Sequence, residues 1–178
     1  MLRRRKPPCE RVGDDAFVVR LGEPEREVLV RLFGELDAMI AAAGDVESAP
    51  PPNAGRLFPP AFTDHEGSDA ANDSEYQRLM RSELIESRRA AVAGVLAVLD
   101  TEPSGRNADE FAFDEERLSA FMRSLNSLRL VLGSLLGVDD DEAAGEADER
   151  VRESPEFGLF AWSGWMLEWV VQALSEPG

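Results

Sequence analysis

The sequence predicts a mainly α-helical fold, a compact four-helix bundle with a small N-terminal β-hairpin and long acidic loops. Four stretches carry apolar residues at helical spacing, and one short N-terminal stretch alternates around a turn. No internal repeat interrupts this pattern. A chain of 178 residues fits one domain with a single core, so residues 1–178 are expected to form one helical domain.

The first elements are two short strands. The segments ERV and AFVVRL flank GDD, where Gly13 and the aspartates that follow it supply turn chemistry. An isolated hairpin is only marginally stable in water. The sequence therefore predicts that this hairpin packs against the helices.

The first helix begins near Gly22, Glu23 and Pro24, because proline is tolerated in a first helical turn and acidic residues complement the helix dipole. Its apolar stripe consists of Leu29, Leu32, Phe33, Leu36, Met39, Ile40 and Ala43. Glycine is common just beyond a helix C-terminus, so Gly44 predicts its end.

Residues 45–73 are rich in Pro, Gly, Ala, Asp and Ser without helical spacing, which predicts a long loop. The apolar island RLFPPAF lies inside it. Prolines oppose a helix there, so Leu57, Phe58 and Phe62 are expected to anchor the loop on the bundle.

Three further helices follow. The second runs from about Ser74, a plausible cap, to Leu99, and the third starts at Phe113 and Asp114, with Asp114 as cap, and ends near Gly137. TEPSGRNADE is the predicted connection between them. Residues 138–155 read as a solvated acidic loop, and the fourth helix covers Phe157 to about Leu174.

Charged residues interrupt the predicted apolar faces. Arg129 falls near the centre of the apolar stripe of the third helix, whereas Arg123 and Ser127 point away from it. The other polar residues at or beside apolar faces are Arg88, Glu83 and Glu86 in the second helix, Asn126 in the third and Glu168 in the fourth.

These residues support two interpretations, and the sequence does not separate them. In the first, Arg88 and Arg129 pair with acids drawn from Glu83, Glu86 and Glu168 in a structural network that Asn126 completes. In the second, the two arginines line a pocket for a small anion or carboxylate, since a guanidinium can donate two parallel bonds to such a ligand. The second interpretation includes an enzymatic or ligand-binding bundle.

No catalytic, metal or cofactor site is predicted. The single histidine, His65, lies in the 45–73 loop, so neither a Ser-His-Asp arrangement nor the Glu-x-x-His pairs of a di-iron bundle can be assembled. The acidic DDDE run lacks the glycine and terminal glutamate of an EF-hand. Cys9 is the only cysteine, so it cannot form an intramolecular disulfide. It could link two subunits or react with oxidants near the basic residues Arg3 to Arg11, but the sequence favours an inert thiol.

Composition restricts the partners. With 35 Asp and Glu against 19 Lys and Arg, the formal net charge is -16, which makes direct nucleic-acid binding unfavourable because such binding comes largely from basic residues that release counterions. No secretory signal is recognised, and the apolar stretch Phe157 to Leu174 is interrupted by Glu168 and Gln172. A cytoplasmic protein without a membrane span is expected.

The fourth helix is apolar on nearly all sides. Trp162, Trp165 and Trp169 lean toward one side of it, and Phe160, Leu167 and Val171 occupy the opposite side. Such a helix needs more cover than three other helices provide. The sequence therefore predicts a homodimer that buries part of this helix, unless the hairpin and the LFPPAF loop cover it.

The elements together resemble a known family. NSLRLVLGSLLGV in the third helix, FAWSGWMLEWVV in the fourth, SELIESRRAAV in the second and the LFPPAF island are similar to the actinobacterial oxidative-stress regulators called AosR. The most specific matches are Asn126, Leu128, Arg129, Leu130 and Gly133, with Trp162 and Glu168.

The resemblance implies a redox-linked transcriptional regulator that acts with sigma-factor machinery. The cysteine pair implied for that family is not available to a chain whose only cysteine is Cys9. We therefore expect a non-enzymatic regulatory protein that acts through a protein partner, such as a sigma factor, rather than by binding DNA itself.

Overall fold

The structure, a computed structural model, describes residues 6–43, 57, 70–103, 109–138 and 147–176, with the backbone alone for 70–80. The predicted residues Phe58, Phe62 and His65 lie outside these ranges, as does most of the 45–73 loop. The described chain is mainly helical, which confirms the predicted fold class. Its elements are strands β1 (Cys9–Gly13), β2 (Ala16–Arg20) and β3 (Glu110–Phe113), and helices α1 (Glu23–Ala43), α2 (Ala70–Leu99), α3 (Glu115–Leu136), α4 (Glu149–Arg152) and α5 (Pro155–Ser175).

The predicted hairpin is present and has a third strand. The strands form an antiparallel sheet in the order β1-β2-β3, in which Phe17 pairs with Phe113 and Val19 pairs with Phe111. Because side chains alternate along a strand, these paired residues share one face, and all four are buried. That face packs toward α3 and α5.

The predicted start and end signals of α3 are confirmed, and α5 has a serine cap that was not predicted. Asp114 accepts a hydrogen bond at 2.8 Å from the backbone N–H of Arg117 at the start of α3. Gly137 ends α3 with a positive φ of 68°, a conformation that favours glycine. Ser154 caps α5, where its Oγ accepts from the N–H of Phe157 at 3.2 Å.

Three predicted boundaries are wrong. Helix α2 begins at Ala70, so Ser74 lies inside it rather than at its cap, and residues 70–73 are helix rather than loop. The last residue of the predicted TEPSGRNADE connection, Glu110, is the first residue of β3, so a strand precedes the third long helix. Residues 149–152 of the predicted acidic loop form the short helix α4. Segments of about four residues are too short for their periodicity to reveal such elements.

Helix α3 is central. It packs against α1, α2, α5 and the strands β2 and β3. Phe121 of α3 joins the layers, since its ring centre lies 6.2 Å from that of Phe33 in α1 and 5.6 Å from that of Phe113 in β3. Leu57 is fully buried in the same core, which confirms the anchoring prediction for this residue of the LFPPAF island.

Arginines tie α1 and α2 together at both ends. Arg26 of α1 donates to the carbonyl of Leu99 at the end of α2 at 2.6 Å, and Arg81 of α2 donates to the carbonyl of Ala43 at the end of α1 at 2.9 Å. Terminal helix carbonyls have no partner within their own helix. Each helix thus supplies a donor for the last turn of the other.

Candidate functional site

Arg129 lies in a groove between α3 and α5. Its guanidinium carbon sits 4.3 Å above the centre of the Phe160 ring, a distance at which a cation is attracted to the face of the ring. Its Nε lies 3.2 Å from the point that a Cβ on Gly164 would occupy. A glycine at this position therefore lets the arginine run close across the surface of α5.

The groove has a volume of about 440 Å³. Its lining consists of Arg129, Phe157, Phe160, Ala161, Gly164, Trp165, Leu167 and Glu168. Most of these side chains are apolar, and Arg129 and Glu168 contribute one charge of each sign. The groove brings together Arg129, Glu168 and Trp165, three of the residues predicted from the sequence.

Arg88 takes another position. Its Nη1 donates to Ser127 Oγ at 2.7 Å, and that hydroxyl donates to the carbonyl of Arg123 at 2.9 Å. Ser127 is buried, which corrects the prediction that it points away from the core. Burial lowers the pKa of Arg88, because the charged form loses hydration. Arg88 is not part of the groove lining, so the two arginines do not share this pocket.

The remaining predicted network residues are at the surface. Glu83, Glu86, Asn126 and Glu168 are all exposed. Any pairing of these side chains with the two arginines stays a prediction, and their exposure corrects the idea of a network buried in the core. Asn126 lies on the solvent side of α3, whereas its neighbour Ser127 is buried.

The three tryptophans separate into two groups. Trp162 and Trp169 are partly buried against the core, whereas the Trp165 side chain is 46% exposed. Val171, further along α5, is 48% exposed. Of the predicted interface residues, Trp165 is the one that presents a large apolar surface to solvent.

Cys9 is buried in β1 with 2% of its surface exposed. Burial raises the pKa of its thiol to about 12, despite the opposing charge of Arg20. Loss of hydration thus outweighs the charge of Arg20. A protonated, inaccessible thiol is a poor nucleophile, so burial argues against the alternative of a reactive Cys9.

Carboxylates cluster at the other end of α3. Asp15, Asp114, Glu115, Glu116 and Ser119 line an open depression of about 440 Å³. Asp15 Oδ1 accepts a hydrogen bond at 2.7 Å from the backbone N–H of Glu115, which fixes the hairpin turn against the helix. This cluster is not apparent in the sequence, since its members come from two segments that lie far apart along the chain.

The described residues contain no group of three or more His, Cys, Asp or Glu side chains placed to hold a metal ion. Over the same part of the chain, no helix combines the length and apolarity needed to cross a membrane.

A family model described as a domain of unknown function, DUF2017, matches residues 6–174. No curated protein and no solved structure matches the chain.

Proposed function

We propose that this chain, which belongs to the DUF2017 family of unknown function, is a non-enzymatic regulatory protein that binds a protein partner rather than DNA. The process we assign to it is transcription, following the resemblance of its α2, α3 and α5 sequences to the AosR regulators. The partner class is sigma-factor or other transcription machinery. The cytoplasm expected from the sequence is the compartment that this role requires.

The acidic depression at the start of α3 carries the proposal. Asp15 and Asp114 are held by hydrogen bonds to backbone N–H groups, so the depression has a fixed shape. Glu115 and Glu116 are exposed beside them. Several carboxylates on one rigid edge favour binding of a basic protein segment, because complementary charge speeds association and selects partners.

The overall charge supports the same choice. A net charge of -16 repels nucleic acid, whereas basic surfaces that transcription proteins use for DNA are attracted to it. An acidic protein can therefore influence transcription by contacting those proteins. The alternative of a carboxylate-binding pocket with two arginines loses support, since Arg88 and Arg129 do not line one groove.

Binding experiments with purified RNA polymerase holoenzyme and its free sigma factors from an actinobacterium test the proposal. We expect binding that weakens as salt rises, because its attraction is electrostatic. The double variant Glu115→Gln/Glu116→Gln should bind about tenfold more weakly. The matched control is Glu83→Gln/Glu86→Gln, which removes two exposed glutamates from α2 and should bind like the original chain.

A gel shift with promoter DNA at low salt is the complementary measurement. We expect no retarded DNA from the protein alone. Retardation of DNA, or equal loss of polymerase binding in the two double variants, would overturn the proposal.

A further inference from the structure

The sheet carries apolar residues on the face that points away from the helices. The phenylalanines and Val19 of β2 and β3 are buried, so the alternate residues Ala16, Val18 and Ala112 lie on the opposite face; we call these three residues the outer sheet face. Ala16 and Ala112 are exposed, and Val18 is half-buried beside its partner Ala112. Val12, at the register shift that ends β1, is 57% exposed. A solvated face of an antiparallel sheet normally carries polar residues, so this composition favours a surface that another element covers.

One end of the same face is charged but neutral in sum. Arg20 pairs with Glu110 across β2 and β3 at 3.0 Å, and it also pairs with Glu10 of β1. Glu110 accepts a second bond from Lys6 at 2.8 Å. These two cations and two anions cancel, so this end offers little attraction to a charged partner.

The other end of the outer sheet face adjoins the acidic depression. Asp15 immediately precedes Ala16, and Asp114, two residues beyond Ala112, has an extended backbone that continues the alternation of β3. The acids at this end are Asp14, Asp15, Asp114, Glu115 and Glu116, and the bases are Arg11 and Arg117. Five acids less two bases leave an excess of three negative charges. The apolar surface thus runs from a neutral end to an acidic end.

This gradient indicates what fits the surface. A helix is the usual second layer over an apolar sheet face. The strand from Ala16 to Arg20 spans about 14 Å, close to the length of about three helical turns, roughly 16 Å. Only one end of such a helix would meet the acidic side chains. A second copy of this chain is a poor occupant, because each copy carries a net charge of -16 and the two repel each other.

We propose that the outer sheet face docks an amphipathic helix of the partner protein. The apolar side of that helix packs on Val18, Ala16 and Ala112, and its basic residues are gathered at the end that lies over Asp15 and Asp114. This inference rests on the proposed function, in which the acidic depression binds a basic protein segment. It adds the secondary structure of that segment and an apolar contact beyond the depression.

Synthetic peptides of about 15 residues, long enough to form a helix, test the class of the occupant. One peptide has leucines at helical spacing and arginines clustered at one end, and it is made in two versions, one for each end. A second peptide has the same composition in an order that removes the leucine stripe. Fluorescence anisotropy should show binding of at least one striped version and at least about tenfold weaker binding of the reordered peptide.

Equal binding of the striped and reordered peptides would overturn the inference, since charge alone would then explain the attraction. The proposed function would survive that result. Failure of both striped versions to bind would also overturn the inference.

A matched set of variants locates the contact. Ala112→Lys places a cation beside the basic end of the docked helix and should weaken binding of the striped peptide at least about tenfold. Ala112→Val keeps the position apolar and suits a strand, so it should bind like the original chain. Ala97→Lys is the control for added charge, because Ala97 is an exposed residue of α2. Equal weakening by the two lysine variants would contradict the location.

The same variants, measured with polymerase holoenzyme and free sigma factors, separate this inference from the proposed function. If Glu115→Gln/Glu116→Gln loses that binding and Ala112→Lys keeps it, the proposed function stands and the docked helix is wrong. If the striped peptide binds as expected and neither polymerase nor a sigma factor does, the docking surface stands and the assignment to transcription is wrong.

The unaltered chain provides a readout that no folding defect can confuse. In methyl NMR spectra, the striped peptide should shift the signals of Ala16, Val18 and Ala112, whereas the buried Val95 of α2 should keep its position. Shifts confined to other regions would overturn the inference. Sedimentation equilibrium without peptide tests the second copy: a dimer that Ala112→Lys dissociates would assign the outer sheet face to self-association instead.

Discussion

At the scale of single residues, Gly164 determines how Arg129 can lie. A glycine inside a helix normally costs about 0.5–1 kcal/mol relative to alanine. Here a Cβ would stand 3.2 Å from Arg129 Nε, closer than ordinary contact. Glycine is a weak helix former, but its lack of a side chain lets the guanidinium approach α5 closely.

Substituting Gly164 by alanine tests this explanation. We expect Gly164→Ala to lack the usual gain of about 0.5–1 kcal/mol, whereas Gly34→Ala, at an exposed position of α1 with open space around its Cβ, should show it. Urea unfolding measures both free energies. Combining Gly164→Ala with Arg129→Ala should restore the gain, and a full gain in Gly164→Ala alone would contradict the steric role.

Cys9 gives a prediction with a defined direction in pH. Burial raises its pKa from 9.0 to about 12, so the folded state disfavours the thiolate. Its contribution to stability is complete below pH 9 and is lost between about pH 9 and 12, at about 1.4 kcal/mol per pH unit. The free energy of unfolding of the original chain should therefore fall relative to that of Cys9→Ala as the pH rises above about 9, which urea unfolding at several alkaline pH values measures.

Thiol labelling is a second readout of the same feature. At neutral pH, the folded chain should react with a thiol reagent much more slowly than the urea-unfolded chain, since the thiol is both buried and protonated. Fast labelling of the folded protein would contradict the burial of the Cys9 thiol in β1.

The residue types of the candidate site were partly visible in the sequence. Arg129 stands out because it interrupts an apolar stripe, and this remains true in the structure. Its contact with the Phe160 ring could not be predicted, because helical spacing does not define how two helices are rotated against each other. The prediction for Ser127 is wrong because it assumed one buried stripe, whereas α3 is also buried on the side of Ser127, where the Ser127 hydroxyl accepts a hydrogen bond from Arg88.

At the scale of elements, Arg20 holds the sheet together. Its side chain reaches both outer strands, with bonds to the Pro7 carbonyl and to Glu10 before and within β1, and to Glu110 of β3 at 3.0 Å. Lys6 also bonds Glu110 at 2.8 Å. Side chains thus connect β1 and β3, which share no backbone ladder.

Glu110 makes the stability of this sheet depend on pH in the acidic range. Hydrogen bonds from Lys6 and Arg20 hold its pKa below the usual range, so the stability it contributes is present above about pH 4.5 and is lost as the pH falls through the lower folded value. We expect Glu110→Gln to be less stable at neutral pH and to lose less stability on acidification. Parallel acid-unfolding profiles for the two chains would contradict this assignment.

The elements themselves were predictable to different degrees. Long amphipathic helices such as α1 and α3 were found with nearly correct ends, because stripe and cap signals agree. The strand β3 was missed since its four residues, EFAF, are too few to establish alternation. The start of α2 was placed four residues late because its first turns lack a strong apolar stripe.

At the scale of the whole molecule, the sheet joins strands that lie far apart along the chain. Strand β2 follows β1 directly along the chain. Its other neighbour in the sheet is β3, where Glu110 pairs with Arg20 of β2. Helices α1 and α2 lie between these strands in sequence. The ladder between β2 and β3 therefore closes a loop that contains two complete helices.

This connectivity has a consequence for the order of folding. Closing a long loop costs chain entropy before any strand contact compensates for it, so the β2–β3 ladder should form after α1, α2 and α3 have associated. Val19→Ala, at a fully buried position of β2, should mainly accelerate unfolding, whereas Val95→Ala in α2 should mainly slow folding. Stopped-flow chevron plots measure both rates. If the whole loss of stability in Val19→Ala appeared as slower folding, the sheet would instead belong to the folding nucleus.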